Sequence, residues 1–270
     1  MTNRIRALLE QQDIRYTSAS TISESASACL GIATARPQGT PAAACNSFFS
    51  PLHYEPNYAY PLLVWLHGSG DDETQLRRVM PLVSMRNYVA VAPRGTLTAP
   101  GQSSQSGYCW PQSQGHINRA SGRVLDAVEK AKAKFNVAPN RIFLAGYDDG
   151  GTMALRLAFQ HPRQFAGVIS IGGALPRGQA PLSRIHEARH VPVFVACGRS
   201  GQRYATDEIC DNLRLLHTAG ISVTLRQYPC GDEVMPQMLS DMDRWVMEQI
   251  LPPPPATDGL PDHQSFGGHN

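Results

Sequence analysis

Residues 141–159 read RIFLAGYDDGGTMALRLAF: a β-rich run, one glycine, three residues, two further glycines, then small and apolar residues. That order predicts a strand, a tight turn and a helix, with Asp148 at the tip of the turn. Glycines at 146, 150 and 151 suit such a turn, because the backbone is strained there and the helix must pass close to the strand with no Cβ between them. A carboxylate held at the tip could do two kinds of chemistry. It can attack a carbon and form an ester, or it can help hold a hard cation through oxygen.

Other acidic loops belong to the same argument. HGSGDDE at 67–73 brings Asp71, Asp72 and Glu73, and YPCGDEV at 228–234 brings Asp232 and Glu233. If each loop follows a strand of one open sheet, all of them converge with Asp148 and Asp149 on one crevice. Carboxylates within about 4 to 6 Å repel, and at least one pKa rises unless a positive partner stands nearby. Mg or Ca would suit an all-oxygen set, but Arg94, Arg199 and Arg203 lie on neighbouring loops, and ion pairs with them are the expectation over metal. Asp71, Asp72 and Glu73 could instead cap and favour the start of the next helix. Tyr108 and Trp110, in SGYCWPQ, should overhang the crevice, either as an aromatic binding wall or as loop packing.

The positioning elements can be read from short apolar runs. Strands are expected at 62–66, 88–92, 141–146, 167–172, 191–197 and 222–228, most with no polar face, as for strands covered on both sides. Helices are expected at 73–84, 121–135, 151–160, 206–219 and 236–250. Alternation of this kind predicts an α/β fold, a mainly parallel sheet with helices on both faces. Residues 1–44, rich in Ser, Ala, Thr and Gly, read as a flexible leader with at most a short helix at 5–11, and 252–270 as a Pro/Gly-rich tail, leaving 45–251 as the domain.

Composition narrows the function classes. The 270 residues carry a formal charge of +2 with basic residues scattered, so nucleic acid is not indicated. There is no signal-peptide core and no run of about 18 apolar residues, so the expectation is a cytoplasmic protein without a membrane span. Six cysteines lack paired spacing and are expected as free thiols, with no structural zinc.

On the motif Gly146-Tyr147-Asp148-Asp149-Gly150-Gly151, with PLLVWLHGSGDDE before it and ISVTLRQYPCGDEVMPQML after it, the chain resembles the α/β-hydrolase superfamily. Within it, the resemblance is to small carboxylesterases, phospholipases and polyhydroxybutyrate-depolymerase-like proteins, over roughly residues 51–251. The resemblance implies an α/β-hydrolase fold and a Ser, Asp/Glu, His triad in chain order. It places Asp148 at the nucleophile position, Ser200 at the acid position in GRSGQR, and Asp232 at the histidine position. His67, Gly68 and Ser69 fall on the oxyanion loop, and the backbone N–H groups of Ser69 and Asp149 would form the oxyanion hole.

With all three roles vacant or refilled, ordinary serine-esterase activity is not expected, since losing serine or histidine alone costs about six orders of magnitude in a comparable triad. The first expectation is a noncatalytic or weakly active pseudo-esterase that binds a small molecule or a protein partner in the old crevice, without cofactor. It carries a specific corollary, that the Asp148 carboxylate occupies the oxyanion hole itself. The alternative is a hydrolase using Asp148 as nucleophile, as haloalkane dehalogenases and epoxide hydrolases of the superfamily do. Such an ester needs a base for its hydrolysis, and His161, His186, His190 and His217 are expected to be structural or exposed, with His263 and His269 in the tail. The third is a carboxylate-lined cation site.

Overall fold

Along Tyr60–Leu66 every residue is buried, so the strand has no polar face and must be covered on both sides. In the computed structural model, which describes residues 45–97, 107–202 and 206–251, that covering is complete. The strands are β1 (Asn46–Phe49), β2 (Tyr60–Leu66), β3 (Val89–Pro93), β4 (Thr96–Leu97), β5 (Tyr108–Cys109), β6 (Val137–Tyr147), β7 (Gly167–Ile171), β8 (Val193–Gly198) and β9 (Val223–Tyr228). The helices are α1 (Gln75–Val83), α2 (Gln114–Lys134), α3 (Asp149–Gln160), α4 (Ile185–Ala188), α5 (Thr206–Thr218) and α6 (Pro236–Ile250).

Seven strands form one sheet in the order β1-β3-β2-β6-β7-β8-β9, and β4 pairs with β5 apart from it. Only the edge strand β1 runs antiparallel within the sheet. Period-two alternation sorts the core into two layers. Leu62, Val64, Leu66, Ile142 and Leu144 pack with Ile117 and Val124 of α2 and Leu155 and Phe159 of α3. Leu63, Trp65, Phe143 and Ala145 face the other way, onto Leu76 and Met80 of α1 and Met238, Met242 and Trp245 of α6. Each such aliphatic side chain contributes about 1.5 to 3 kcal/mol by leaving water, so a register slip of one residue would be costly everywhere at once.

The strand order places the site. From β2 the chain goes to β3 on one side and then returns to β6 on the other side of β2. The strand order therefore puts the expected crevice between the loops that follow β2 and β6, where the connections diverge.

All six expected strands and all five expected helices are present, most with shifted ends and α6 with the expected bounds. α2 starts at Gln114 and α3 at Asp149, earlier than expected, because Gly115, Gly122, Gly150 and Gly151 lie inside these helices. Glycine disfavours a helix by about 1 kcal/mol, and tertiary packing overrides that here. β1, β4, β5 and α4 were not anticipated, being too short to show a period. The expected leader, tail and 5–11 helix lie outside the described residues.

Close approach of α3 to the sheet explains the paired glycines: a Cβ on Gly150 would stand 2.3 Å from the Leu66 carbonyl oxygen and 2.4 Å from that of His67. Both obstacles are backbone and cannot swing aside. Gly150→Ala should therefore cost stability toward the upper end of the range of about 1 to 3 kcal/mol typical of overpacking, measured by urea unfolding. An unchanged midpoint would show that α3 can shift away from β2.

Candidate functional site

Asp148 ends β6 and begins α3 with φ 55 and ψ −125, a conformation outside the regions ordinary L-residues favour. Holding it costs of order 1 to 3 kcal/mol, and the surroundings enforce it. Asp148 N–H donates to the Ile171 carbonyl (2.9 Å), and its own carbonyl accepts the first helical bond from Thr152 N–H (3.1 Å). The side chain is 7 % exposed and sits at the N-terminus of α3, where the helix dipole favours an anion. Ser69 N–H, on the loop after β2, donates to Asp148 Oδ2 at 3.3 Å. One of the two expected oxyanion-hole donors is thus bonded to the carboxylate of the turn. The half-buried Asp149 lies in the first turn of α3, where its charge also suits the dipole.

The loop after β2 is fixed by a buried polar frame. Gly95 N–H donates to His67 Nε2 at 3.0 Å, so that nitrogen is the acceptor and Nδ1 carries the proton that goes to the Gly68 carbonyl at 2.8 Å. Burial holds the imidazole below its ordinary pKa and keeps it neutral. Both ring nitrogens are committed to backbone, so His67 positions the loop and has no nitrogen left for base chemistry. Trp110 lies beside it with ring centroids 5.2 Å apart and donates Nε1–H to the His67 carbonyl at 3.0 Å. At 2 % exposure Trp110 is a support beneath the loop, so of the two expected readings it takes loop packing and not the binding wall. Gln75 Oε1 completes the frame, accepting from Trp65 Nε1–H (2.7 Å) and Gly68 N–H (3.3 Å).

The acidic run is divided among partners. Glu73 is buried and takes both ends of the Arg94 fork, at 2.6 Å from Nε and 2.5 Å from Nη2. Arg94 lies over the Tyr108 ring, 4.8 Å from its centroid, so Tyr108 is a half-buried stacking partner of that ion pair. Asp71 Oδ2 bonds the Arg78 guanidinium and accepts from Gln75 Nε2 (2.8 Å). Asp72 Oδ1 accepts from Thr74 N–H (2.8 Å) and Thr74 Oγ–H (2.6 Å) just before α1. Ion pairing of the acidic run with Arg94 was expected and is present at Glu73, while Asp71 takes Arg78 instead. The alternative that these acids cap the helix is not realised, since the N-cap of α1 is Thr74, with no side-chain cap bond and no acid in the first turn. Arg199 is exposed. Arg203 lies outside the described residues. Among the described residues no three His, Cys, Asp or Glu side chains form a group able to hold a metal ion.

The loops after β8 and β9 are welded through backbone. Arg199 N–H donates to the Tyr228 carbonyl (2.9 Å) and Ser200 N–H to the Cys230 carbonyl (3.0 Å). A Cβ on Gly198 would lie 1.9 Å from the Gly231 oxygen, so only glycine admits this contact. Asp232, half-buried, accepts Gln202 N–H on Oδ2 at 3.1 Å, while its carbonyl accepts Tyr147 O–H at 2.6 Å. Ser200 and Glu233 are exposed. The structure brings Asp148 to Ser69 and Asp232 to the 198–202 loop, with Tyr147 of the turn linking the two halves. Cys197 and Cys230 are free and buried, and burial pushes both thiols up, as in inert cysteines.

Two residues without a role in the sequence reading hold the rim. Arg156 of α3 is fully buried and donates to Gln112 Oε1 (2.7 Å), the Gly178 carbonyl (3.0 Å) and the Arg177 carbonyl (2.8 Å). Arg123 of α2 donates to the Gly95 carbonyl at 2.5 Å. An arginine in the midst of TMALRLAF was the available signal for the first, since a cation inside an apolar helix must find acceptors. His161 bonds Ser121 Oγ (2.8 Å) and is structural, as expected.

A family model described as Phospholipase/Carboxylesterase matches residues 56–250. The chain is 26 % identical to "Probable carboxylesterase Os04g0669500" of Oryza sativa subsp. japonica, over 70 % of this chain and 77 % of that protein. It is also 26 % identical to "Probable inactive carboxylesterase Os04g0669700" of the same plant, over 70 % and 84 %. The crystal structure of Arabidopsis thaliana SOBER1 superposes with a TM-score of 0.63 at 18 % identity, covering 72 % of this chain and 100 % of that one, a likeness of fold. No helix of the described residues is long and apolar enough to cross a membrane.

The pH dependence of stability follows from the neutral imidazoles. His67 and His161 both have lowered pKa values in the fold through burial, so the unfolded chain binds protons there that the native state refuses. Their contribution should be full above pH 6.5, the ordinary imidazole value, and shrink as pH falls below it. Asp72 and Asp241, held below the ordinary 3.8, add a separate loss only in stronger acid. Urea midpoints from about pH 8 to about pH 5 should fall, and the fall should flatten in His67→Gln/His161→Gln. A midpoint independent of pH over that range would refute the neutral, buried assignment.

Proposed function

Because the chain belongs to the phospholipase/carboxylesterase family of the α/β-hydrolase fold, we propose that it is a pseudo-esterase: a family scaffold without a working serine triad, which binds a small molecule or partner in the crevice between β2 and β6. The observation that carries this reading is the Ser69 N–H to Asp148 Oδ2 bond, which puts a negative oxygen of the protein where a substrate oxyanion would need to sit. An anion already there repels a second one. Asp232 at the position expected for the histidine spends its carboxylate on Gln202 N–H, and His67 has both nitrogens on backbone, so neither is arranged to take a proton from a nucleophile. A relative named as an inactive carboxylesterase is compatible with this course.

A second reading keeps Asp148 as a nucleophile. The strained φ of 55 favours it, because that turn presents its side chain at the tip, where a carboxylate could attack a saturated carbon, forming a C–O ester bond as a carbon–halogen bond breaks with loss of halide or an epoxide C–O bond opens to an alkoxide that takes a proton. The resulting ester would need a water-activating base.

Activated aryl esters, haloalkanes and epoxides separate the two. The wild-type chain should leave all three unhydrolysed above background. Asp148→Ser alone should not gain esterase activity, while Asp148→Ser/Asp232→His should exceed it by about 100-fold, the contribution of a placed general base. Strong aryl-ester turnover by Asp148→Ser alone would overturn the assignment of the missing base. Epoxide or halide turnover that disappears in Asp148→Asn would establish the second reading instead.

A further inference from the structure

Away from the crevice, at the end of the sheet where β2 begins, lies a cavity of about 350 Å³. That size falls in the range of about 300 to 1,000 Å³ typical of small-molecule sites. Its lining is mixed: Tyr58, Tyr60, Met247 and Ile250 give it an apolar wall, and Glu55, Arg86 and Asn87 bring polar groups.

The wall is set before a guest arrives. Tyr60 is buried, its hydroxyl accepts Glu55 N–H at 3.1 Å, and Tyr54, which is not part of the lining, stacks on it at 5.3 Å and 25°. Tyr58 meets the Tyr60 ring edge-on at 4.6 Å and 80°, and its N–H donates to the Glu55 carbonyl at 3.1 Å. At 49 % exposure Tyr58 is an aromatic surface open to solvent on a fixed base. On the β3 side, Ser84 Oγ accepts the N–H groups of Arg86 (3.3 Å) and Asn87 (3.1 Å), and Asn87 Nδ2 donates to Asp243 Oδ1 at 3.3 Å. A guest would spend little entropy on ordering these groups.

Charge decides what kind of guest fits. Glu55 and Arg86 are both exposed, and among the described residues neither forms an ion pair, with the other or with any other side chain. Two opposite charges thus share one cavity without meeting. An anion alone would satisfy Arg86 and face Glu55, and a cation alone would do the reverse. A molecule with both charges satisfies both, through an ammonium on Glu55 and a carboxylate on the Arg86 fork. The tyrosine edges and faces, with Met247 beside them, suit a flat ring on the same molecule.

We propose that this cavity binds a small zwitterion carrying an aromatic ring, the chemistry of a free aromatic amino acid. Calorimetric titration of the full chain tests it with L-tryptophan, tryptamine (no carboxylate), indolepropionate (no ammonium) and L-alanine (no ring). Tryptophan should bind about ten-fold more tightly than each of the others, the worth of one charge-assisted contact or one packed ring. Arg86→Gln should weaken tryptophan to the level of tryptamine and leave tryptamine itself unchanged. Glu55→Gln should do the same with respect to indolepropionate, and Tyr58→Ala should weaken all the indoles. These side chains are exposed, so each variant should keep the wild-type urea midpoint. No binding of tryptophan up to about 10 mM would overturn the proposal. Tryptophan binding that survives both Tyr58→Ala and Arg86→Gln would put the ligand elsewhere on the molecule and overturn it too. Tryptamine or indolepropionate binding as tightly as tryptophan would show that only one charge is read, and the zwitterion assignment would fall.

Discussion

Backbone-to-backbone contact between α3 and the end of β2 is the constraint on which the rest depends. Gly150 lets the helix press against the Leu66 and His67 carbonyls, and that proximity forces the sharp bend at Asp148. Once the bend is set, the side chain at its tip has little freedom, and the Ser69 amide lies within its reach although 79 residues separate the two. The site is therefore a by-product of close packing at a point where the strand order reverses. The bend holds an aspartate at an unfavourable φ, so the strain belongs to the architecture and not to one kind of chemistry.

A second layer of polar contacts makes the surrounding loops rigid. The His67 imidazole, the Trp110 indole and the Gln75 amide each satisfy a neighbour's backbone or ring N–H or carbonyl, and together they leave few buried polar atoms of the β2 loop without a partner. Arg156 does the same service on the other rim with neutral oxygens only. Hydrogen bonding to three acceptors offsets the cost of burying its charge, and burial draws its pKa down.

Much of this was legible in the residues. Apolar runs without a polar face foretold the parallel sheet, and the spacing of Gly146, Gly150 and Gly151 foretold the bend and the close passage of the helix. Asp148 and its approach to the Ser69 amide were anticipated. The partner of Asp71 was not, because Arg78 stands seven residues further on, inside α1, and only the fold shows which face it takes. Trp110 looked like a surface aromatic in a polar loop, yet its indole had a buried carbonyl to serve, a fact that depends on a residue 43 positions away. Short pieces such as β1 and α4 carry no period of their own and exist through their neighbours.

The welded pair of loops after β8 and β9 has a further consequence. With Gly198 set against the Gly231 oxygen and the amides of Arg199 and Ser200 bonded across, the described parts of these two loops are held to each other backbone to backbone. Under the proposed binding role, a guest would meet a surface set before it arrives, and discrimination would rest on shape and on the placement of fixed dipoles, with little entropy spent on ordering this part of the protein.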